Sequence, residues 1–302
     1  MLIGLVGTGP MGLGIGKSLL RELAPQGHSI TVYNRTAAKA APLVEAGARL
    51  AKTPAQAAVG DVVLSIVADD AAVTALTFAD DGILSGLKEG AVHVCMSTLT
   101  VDMAERLVAA HQAAGKHYVS APVIGRPEAA AAGELFLAAA GRSDDLARVR
   151  PVFEAIAKAT FAIGEHPVQA NLIKLGMNHL IHSVIEQLAE FFTLVEKGGV
   201  SPKIAREFLI GTSFNAPIYQ RFSALVLENK FAPGGASARL ALKDNRAIMA
   251  AAEKYGAPLP IASILHNRLV ALIAQGDGEM DYAAISRLVR RDAGLNDAPV
   301  RG

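Results

Sequence analysis

The sequence of 302 residues contains no tryptophan and a single cysteine, Cys95. One cysteine cannot form a disulfide within the chain, so Cys95 is predicted to be a small buried hydrophobic residue, and a reducing, cytoplasmic environment is expected. Tryptophan, tyrosine and phenylalanine together make up only 5% of the residues. Few side chains are therefore available to stack on bases, and nucleic-acid binding is not expected.

A charge excess and long apolar runs are also missing. The 29 basic and 28 acidic residues leave a net charge of +1, which creates no field that would attract a polyanion. No apolar run reaches the length of about 20 residues that a membrane span requires, and the first residues lack the basic segment of a signal peptide. The chain is therefore expected to be a soluble protein of about two domains, with no membrane partner.

A glycine-rich motif follows the first apolar run, Leu2 to Val6. The motif consists of Gly7, Thr8, Gly9, Pro10, Met11 and Gly12, and a stretch of helical periodicity comes after it. A strand, a GxGxxG sequence and a helix in this order predict a dinucleotide-binding site. Gly7 allows a tight turn, Gly9 lets the backbone approach a pyrophosphate, and Gly12 lets the helix pack closely against the strand.

The residues after the second predicted strand, Ser29 to Tyr33, indicate which dinucleotide is bound. NAD sites typically carry an acidic residue here, which binds the ribose 2′-hydroxyl, but this chain has Asn34, Arg35 and Thr36. Arg35 can offer its planar guanidinium to a 2′-phosphate, with Asn34 and Thr36 as hydrogen-bond donors. The sequence therefore predicts NADP in preference to NAD. The alternative for Arg35 is a solvated side chain at a strand end.

Strands and helices continue to alternate up to about residue 164. Buried strands are predicted at 61–67 and at 91–95, and further strands from 118, at 135–140 and at 160–163. Helices are predicted near 36–46, 70–77, 101–114 and 144–157. This alternation indicates a parallel, doubly wound sheet, which binds its ligand beyond the carboxyl ends of the strands. Val67, Ala68, Ser97 and Thr98 occupy such ends and are expected to line the cofactor crevice.

The periodicity becomes helical after Gly164. Helices are predicted at about 168–197, 202–211, 215–228, 238–255, 258–274 and 281–291. We therefore predict an NADP-binding, Rossmann-like α/β domain at 1–164 and an all-helical domain at 165–302, joined by the long helix at 168–197. Arg287, Arg290 and Arg291 near the C-terminus are predicted to form a solvated helix face.

Polar side chains lie on one face of the helix predicted at 168–197, at Asn171, Lys174, Asn178 and His182. A lysine one turn before an asparagine, on a helix this apolar, indicates a specifically placed side chain. The alternative is a lysine whose alkyl chain merely covers apolar surface. His179 and His182 are three residues apart, but two histidines without a nearby acid or cysteine make a poor metal site, so no metal is expected.

Together these motifs resemble the β-hydroxyacid dehydrogenases, the family of 3-hydroxyisobutyrate dehydrogenases and glyoxylate/succinic semialdehyde reductases. The motifs are Gly7–Gly12 with Asn34–Thr36, Met96–Thr98, Ala121–Gly125 with Gly133, Lys174 with Asn178, and Lys243 with Asp244. The resemblance implies that Lys174 is the catalytic lysine and that Asn178 fixes the substrate or the lysine. It also implies that Thr98 and Lys243 contact the cofactor, and that the helical domain packs against a partner subunit in a homodimer or homotetramer.

The implied reaction explains these residue types. Hydride delivery from a dihydronicotinamide to a carbonyl carbon leaves negative charge on the oxygen, which a lysine within hydrogen-bond reach can stabilise and protonate. We therefore expect an NADPH-dependent reductase of a small aldehyde or keto acid, reversible as a hydroxyacid dehydrogenase, with Lys174 as general acid and a small molecule as its partner.

The expected substrate loop departs from the family pattern. Relatives usually read Asp-Ala-Pro-Val-Ser-Gly-Gly there, and their serine binds the substrate carboxylate, whereas this chain reads Ser120-Ala-Pro-Val-Ile-Gly-Arg126. Ile124 cannot make that hydrogen bond. Substrate contacts are expected from Ser97, Val123, Ile124, Gly125 and Arg126. Arg126 either grips a carboxylate in place of the serine or is a solvated loop arginine, and the sequence leaves both readings open.

Two further functions compete with the hydroxyacid dehydrogenase. Imine reductases share this architecture, and the apolar Ile124 suits an uncharged imine, but they usually replace the lysine by aspartate or tyrosine. A non-catalytic NADP-binding module would keep the Rossmann-like half alone. Because this chain retains both Lys174 and Asn178, the dehydrogenase is the favoured prediction.

Overall fold

A nine-stranded sheet forms the centre of the N-terminal part of the computed structural model, which describes residues 1–233 and 236–296. The strands are β1 (Leu2–Val6), β2 (Ser29–Tyr33), β3 (Arg49–Leu50), β4 (Val62–Ser65), β5 (Val92–Cys95), β6 (His117–Ser120), β7 (Val123–Ile124), β8 (Leu135–Ala140) and β9 (Ala157–Gly164). Their order across the sheet is β3-β2-β1-β4-β5-β6-β8-β7, and β9 pairs with β8. Strands β1, β4 and β5 are buried along almost their whole length, as expected for strands that helices cover on both faces.

Pairing is parallel throughout β1 to β6, which confirms the predicted doubly wound sheet. Strand β8 differs, because it runs antiparallel to both β6 and β7 and parallel to β9. The connection from Ile124 to Leu135 is shorter than the dozen or so residues that a parallel crossover requires. A reversal of direction between β7 and β8 follows from that short connection.

Helices flank this sheet and connect its strands. They are α1 (Pro10–Leu23), α2 (Ala41–Glu45), α3 (Pro54–Ala57), α4 (Asp70–Phe78), α5 (Ile83–Gly86), α6 (Val101–Ala113), α7 (Pro127–Ala132) and α8 (Ser143–Ile156), with 3₁₀ turns at Ala24–Gln26 and Ala37–Ala40. The elements β3, α3 and α5 were not expected, because pieces of two to four residues are too short to show a period in the sequence.

The strand order creates the place where a ligand can bind. Strand β1 lies between β2 and β4, so the connections that leave these strands run to opposite sides of the sheet. Such a switch point opens a crevice at the carboxyl ends of the strands. Gly7 follows β1, Asn34 follows β2, and Ile66 follows β4, so the predicted cofactor residues share this edge.

Helices make up the C-terminal part of the chain. They are α9 (Val168–Lys197), α10 (Pro202–Gly211), α11 (Pro217–Leu227), α12 (Ala238–Lys254), α13 (Pro260–Ala274) and α14 (Ile285–Asp292), with a 3₁₀ turn at Tyr282–Ala284. An α/β part followed by a helical part confirms the predicted fold class. The chain divides into two compact units, 1–174 and 175–302. The predicted domain boundary between residues 164 and 165 stays a prediction. The last residues of the predicted helical domain, 297–302, lie outside the described part.

Two of the three C-terminal arginines, Arg287 and Arg290, do not form the solvated face that we expected, whereas Arg291 is exposed. Arg290 has only 13% of its side chain exposed and forms an ion pair with Glu196 at the end of α9, and Arg287 donates to Asn229 Oδ1 across 2.9 Å. These partners lie far away in sequence, so periodicity could not reveal them. Among the helices of the described part, none combines the length and the apolar character that crossing a bilayer requires.

Candidate active site

The glycine-rich motif forms the turn between β1 and α1. Gly7 has a φ of +99°, a conformation that favours glycine, and its N–H donates to the Tyr33 carbonyl across 2.9 Å. A Cβ at Gly12 would lie 1.9 Å from the Gly7 carbonyl oxygen. Glycine at position 12 therefore lets α1 begin directly against the end of β1.

The N-terminus of α1 fits the pyrophosphate of a dinucleotide. Gly9 is the N-cap residue, and no described side chain caps it. Pro10 has no N–H, and the N–H groups of Met11 and Gly12 have no partner within the helix. Of the described atoms outside its immediate neighbours, none lies within 4 Å of the position that a Cβ on Gly9 would take. Open space beside unpaired N–H groups, at the positive end of a helix, suits a bound phosphate.

Asn34 supports this turn from the end of β2. Its Oδ1 accepts the Thr8 N–H across 3.0 Å, and its Nδ2 donates to the Thr36 carbonyl across 3.0 Å. Asn34 thus fixes the glycine-rich motif to the segment that carries Arg35. Arg35 and Thr36 are exposed, so the guanidinium stands in solvent at the edge where a ribose 2′-substituent would lie. Direct donation by Asn34 to a phosphate stays a prediction.

The segments after β4 and β5 are joined to each other by side chains. The Val67 N–H donates to Ser97 Oγ across 2.9 Å, and the Thr100 N–H donates to Asp70 Oδ1 across 3.2 Å. Thr100 Oγ1 also donates to Asp70 Oδ2 at 2.5 Å. Ser97 is only 2% exposed, so its hydroxyl is part of the framework, and a substrate contact from it stays a prediction. These bonds join the segments that contain Val67, Ala68 and Thr98 at the carboxyl ends of β4 and β5. Cofactor contacts from these three residues stay a prediction.

A buried chain of polar side chains connects β4, β5 and α6. His111 Nδ1 is 2.7 Å from the Leu107 carbonyl, which can only accept, so Nδ1 carries the proton. His111 Nε2 therefore accepts from His93 Nδ1 at 3.0 Å, and His93 Nε2 accepts from Ser65 Oγ at 2.8 Å. Burial lowers the pKa of His111 to about 4, and burial with the nearby His111 lowers the pKa of His93 as well. Both histidines are neutral near pH 7, and His93 is a packed core residue of β5.

Cys95 lies beside this chain, as expected of a buried hydrophobic residue. It is 1% exposed, and burial raises the pKa of its thiol, with hydrogen bonds from its backbone and side-chain neighbours acting in the opposite direction. A raised pKa keeps the sulfur protonated and unreactive at neutral pH. Cys95 is therefore a structural residue.

The predicted substrate loop is partly a strand. Val123 and Ile124 form β7, and Ile124 stands opposite Phe136 of β8 in the antiparallel pairing. Gly125 has a φ of +150°, and it leads into the exposed Arg126, the residue before α7. The sheet therefore holds the apolar side chain of Ile124, whereas Arg126 lies on the surface.

Lys174 lies half-buried in the second turn of α9. One turn earlier, Asn171 accepts a hydrogen bond at Oδ1 from Ser120 Oγ across 2.7 Å. Ser120 ends β6 and leads directly into Ala121–Arg126, so this bond joins the substrate segment to the start of the helix that carries Lys174. Asn171 Nδ2 is buried and has no hydrogen-bond partner in the described part. An unpaired buried donor costs about 1–3 kcal/mol, against the roughly 0.5–1.5 kcal/mol that one hydrogen bond contributes.

Asn178 and Lys243 both contact one carboxylate in the C-terminal unit. Asn178 Nδ2 donates to Asp244 Oδ2 across 2.8 Å, and Lys243 Nζ lies 2.8 Å from Asp244 Oδ1. Asn178 and Asp244 are each 8% exposed. Because the amide nitrogen is held by Asp244, the oxygen of Asn178 is its remaining acceptor. Asp244 thus orients one predicted catalytic residue and one predicted cofactor residue.

The roles of several of these positioning residues could not be recognised from the sequence. Asp244 belonged to a motif without an assigned role, and Asn171 lay on the face of Lys174 without a known partner. Asp70 and Thr100 gave no signal, because an acidic residue in the first turn of a helix and a hydroxyl at an N-cap are common at any strand-to-helix turn. Within the described residues, no three side chains of metal-binding type are grouped together.

Two family models match the chain. Residues 2–164 match a family model described as the NAD binding domain of 6-phosphogluconate dehydrogenase. Residues 169–289 match a model described as NAD-binding of NADP-dependent 3-hydroxyisobutyrate dehydrogenase. The two matches together cover nearly the whole chain.

Similar proteins support the same assignment. The "Uncharacterized oxidoreductase YfjR" of Bacillus subtilis is 37% identical over 291 residues, which cover 96% of this chain and 100% of that protein. Glyoxylate/succinic semialdehyde reductase 1 of Arabidopsis thaliana is 26% identical over 285 residues, covering 94% and 98%. The crystal structure of 3-hydroxyisobutyrate dehydrogenase from Salmonella typhimurium superposes with a TM-score of 0.82 at 26% identity, covering 95% of this chain and 99% of that one.

The glycine turn at the switch point and these matches define an oxidoreductase that uses a nicotinamide cofactor. The chain belongs to the β-hydroxyacid dehydrogenase family. It is an NAD(P)-dependent dehydrogenase acting on CH–OH groups, and the resemblance inferred from the motifs is confirmed.

Proposed function

We propose that the chain is an NADPH-dependent reductase of small aldehydes or keto acids, reversible as a β-hydroxyacid dehydrogenase, with Lys174 as proton donor. The observation that carries this proposal is the hydrogen bond from Ser120 to Asn171. It joins the first turn of α9, one turn before Lys174, to the start of the segment Ala121–Arg126, and this supports Lys174 as the proton donor for a substrate bound there.

Different residues are proposed to bind the cofactor, to donate the proton and to orient the reacting groups. When bound, the cofactor supplies the hydride. The N-terminus of α1 and Lys243 hold the cofactor, and Thr98 lies at the crevice to contact it. Lys174 Nζ donates a hydrogen bond to the carbonyl oxygen and then its proton as negative charge develops there. Asn178, oriented by Asp244, fixes the substrate or the lysine.

Preference for NADP rests on the end of β2. Arg35 is exposed there, and the neighbouring residues include no acid that would bind a 2′-hydroxyl and repel a 2′-phosphate. A guanidinium can bind a phosphate with two parallel hydrogen bonds. Thr36 stands beside it as a second donor.

The substrate is proposed to be a small carbonyl compound with a carboxylate, as the names of the glyoxylate and succinic semialdehyde reductases suggest for those relatives. Ile124 provides no hydrogen bond to a carboxylate, and the exposed Arg126 two residues later is the proposed replacement. Val123, Gly125 and Ser97 complete the proposed surroundings of the substrate.

A second candidate is imine reduction, which the apolar Ile124 favours because an imine needs no carboxylate-binding serine. Lys174 argues against it, since a protonated lysine suits an oxyanion better than an iminium. A non-catalytic NADP-binding module is disfavoured by the ordered set Asn178, Asp244 and Lys243. We further propose a cytoplasmic homodimer or homotetramer that uses the helical part, where Ile204 and Phe208 of α10 are 62% and 72% exposed.

The deciding experiment is a spectrophotometric assay of NADPH oxidation with glyoxylate, succinic semialdehyde, methylmalonate semialdehyde, tartronate semialdehyde and a cyclic imine. Turnover of one or more aldehydes, with NADH much less effective, supports the proposal. Turnover of the imine alone would establish the second candidate. Binding of NADPH without turnover of any carbonyl or imine would establish the non-catalytic module.

A further inference from the structure

A contribution to folding stability does not explain the hydrogen bond between Ser120 and Asn171. Both side chains are 1% exposed, and the Ser120 hydroxyl donates to Asn171 Oδ1 across 2.7 Å. With the amide in this orientation, Asn171 Nδ2 is buried and has no acceptor among the described residues. Leaving a buried donor unpaired costs more than one hydrogen bond contributes. An apolar pair of similar shape would hold these elements together at least as well.

The two residues stand at positions that matter for the reaction. Ser120 is the last residue of β6, and the segment Ala121–Arg126 that contains Ile124 begins directly after it. Asn171 lies in the first turn of α9, three residues before Lys174. Residues three apart on a helix are neighbours on its surface. A displacement of Asn171 therefore also displaces the turn that contains Lys174.

We propose that Ser120 and Asn171 form a positioning pair, which holds the substrate segment and the turn of Lys174 at the separation that proton transfer requires. This inference rests on the proposed function of Lys174 as proton donor. Neither residue touches the reacting atoms. The directional bond specifies one register between β6 and α9, whereas apolar contacts tolerate sliding.

Loss of the pair changes geometry and leaves binding intact. The substrate is held by the segment after β6, and the cofactor by the N-terminus of α1, so both still bind. Proton donation from Lys174 depends on a distance, and a displacement of about 1 Å far from the chemistry can cost about 100-fold in rate. A loss confined to the transition state lowers kcat and leaves KM nearly unchanged.

The test compares the wild type with the double variant Ser120→Ala/Asn171→Leu, which replaces both partners by apolar groups of similar size. We expect an unchanged or higher melting temperature, an unchanged Kd for NADPH, and a kcat that falls about 10- to 100-fold with KM within about twofold. Ser120→Thr retains the hydroxyl and should recover most of kcat. Ser18→Ala is the matched control, since it removes a buried serine hydroxyl bonded to the Ala155 carbonyl in the same unit, and it should keep kcat.

A second measurement decides the inference independently of turnover. Hydrogen–deuterium exchange of Ala121–Arg126 should become faster in the double variant and in Ser120→Ala, and stay unchanged in Ser18→Ala. Unchanged exchange in this segment, or a double variant with normal kcat, overturns the positioning role. A wild type that reduces no carbonyl compound contradicts the proposed function instead, and the exchange data still show whether the pair holds the segment.

Discussion

Asn178 donates a hydrogen bond from Nδ2 to Oδ2 of Asp244 across 2.8 Å, and both side chains are almost fully buried. The carboxylate accepts only, so the amide nitrogen of Asn178 has to face it and the amide oxygen is directed elsewhere. Asp244 also pairs with Lys243. One carboxylate therefore couples a residue proposed to act on the substrate to a residue proposed to hold the cofactor.

The variant Asp244→Ala is expected to lower kcat/KM by about 10- to 150-fold, which corresponds to the roughly 1.5–3 kcal/mol of a hydrogen bond to a charged group. Without the carboxylate, the Asn178 amide can rotate and Lys243 loses this ion pair. Steady-state kinetics and the Kd for NADPH measure the two consequences separately. Glu279→Gln, which breaks an exposed ion pair with Arg239, is the control and should behave as wild type. Folded Asp244→Ala with normal kinetics would refute the role given to Asp244.

Removing the amine of Lys174 is expected to lower kcat by the factor of about 10²–10⁴ that general acid catalysis typically contributes. NADPH should still bind to Lys174→Ala, because the N-terminus of α1 and Arg35 hold it. Lys174→Arg should not restore turnover, since a guanidinium remains protonated near neutral pH. Lys197→Ala, at the exposed end of the same helix, should leave kcat unchanged. Near-normal kcat in folded Lys174→Ala would make Lys174 a packing residue.

Replacing Arg35 by alanine tests the preference for NADP. Charge-assisted hydrogen bonds contribute about 1.5–3 kcal/mol, so the affinity for NADPH should fall about 10- to 150-fold while the affinity for NADH stays nearly constant. Isothermal titration with both cofactors measures this. Lys39→Ala removes a nearby exposed charge and controls for a general electrostatic effect. An equal loss for both cofactors would show that Arg35 supports the fold and does not read the 2′-phosphate.

The variant Arg126→Ala separates carboxylate binding from general structure. It should cost about 1.5–3 kcal/mol in kcat/KM for anionic aldehydes, and much less for uncharged aldehydes of similar size. Arg142→Ala removes another exposed arginine of the same unit and should affect neither substrate class. If Arg126→Ala impaired both classes alike, Ile124 would be better described as one wall of an apolar pocket.

The buried histidines predict a loss of stability in mild acid. Burial holds the pKa of His111 at about 4 in the folded protein, against 6.5 for the unperturbed side chain. The unfolded chain therefore takes up the proton first, and the free energy of unfolding decreases as pH falls from about 6.5 to about 4. At roughly 1.4 kcal/mol per pKa unit, His111 alone accounts for about 3 kcal/mol.

Urea denaturation at pH 7 and pH 5 measures this effect. His111→Gln, which cannot titrate, should lose less stability between the two pH values than the wild type. Replacement of the exposed His166 by glutamine should leave the wild-type pH dependence in place. The same pH dependence in His111→Gln and in the wild type would assign the acid sensitivity to other groups.

Features that are local in sequence could be predicted. The glycine turn needs only a strand, a few residues of special conformation and a helix, all within residues 2–23. The helix α9 shows its period over 30 residues, so its polar face was visible without a structure. The buried strands β4 and β5 were visible as short apolar runs between turns.

Features that join distant segments could not be predicted. Ser120 and Asn171 are 51 residues apart, and Asn178 and Asp244 are 66 residues apart. A serine, an asparagine or an aspartate has several possible hydrogen-bond partners, and only the path of the backbone selects one. The same reason explains why Arg290 was expected in solvent and is paired with Glu196.

The sequence by itself therefore determined the fold class, the family, and which residue types stand at the ends of the strands, because these follow from periodicity and from short motifs. Tertiary structure decided how those residues are held. It placed Asn34 in a hydrogen bond with the glycine turn, Ser97 in a hydrogen bond with Val67, and Asp244 in a hydrogen bond with Asn178. The physical reason is that buried polar groups require partners, and a partner is chosen by distance in space and not by distance along the chain.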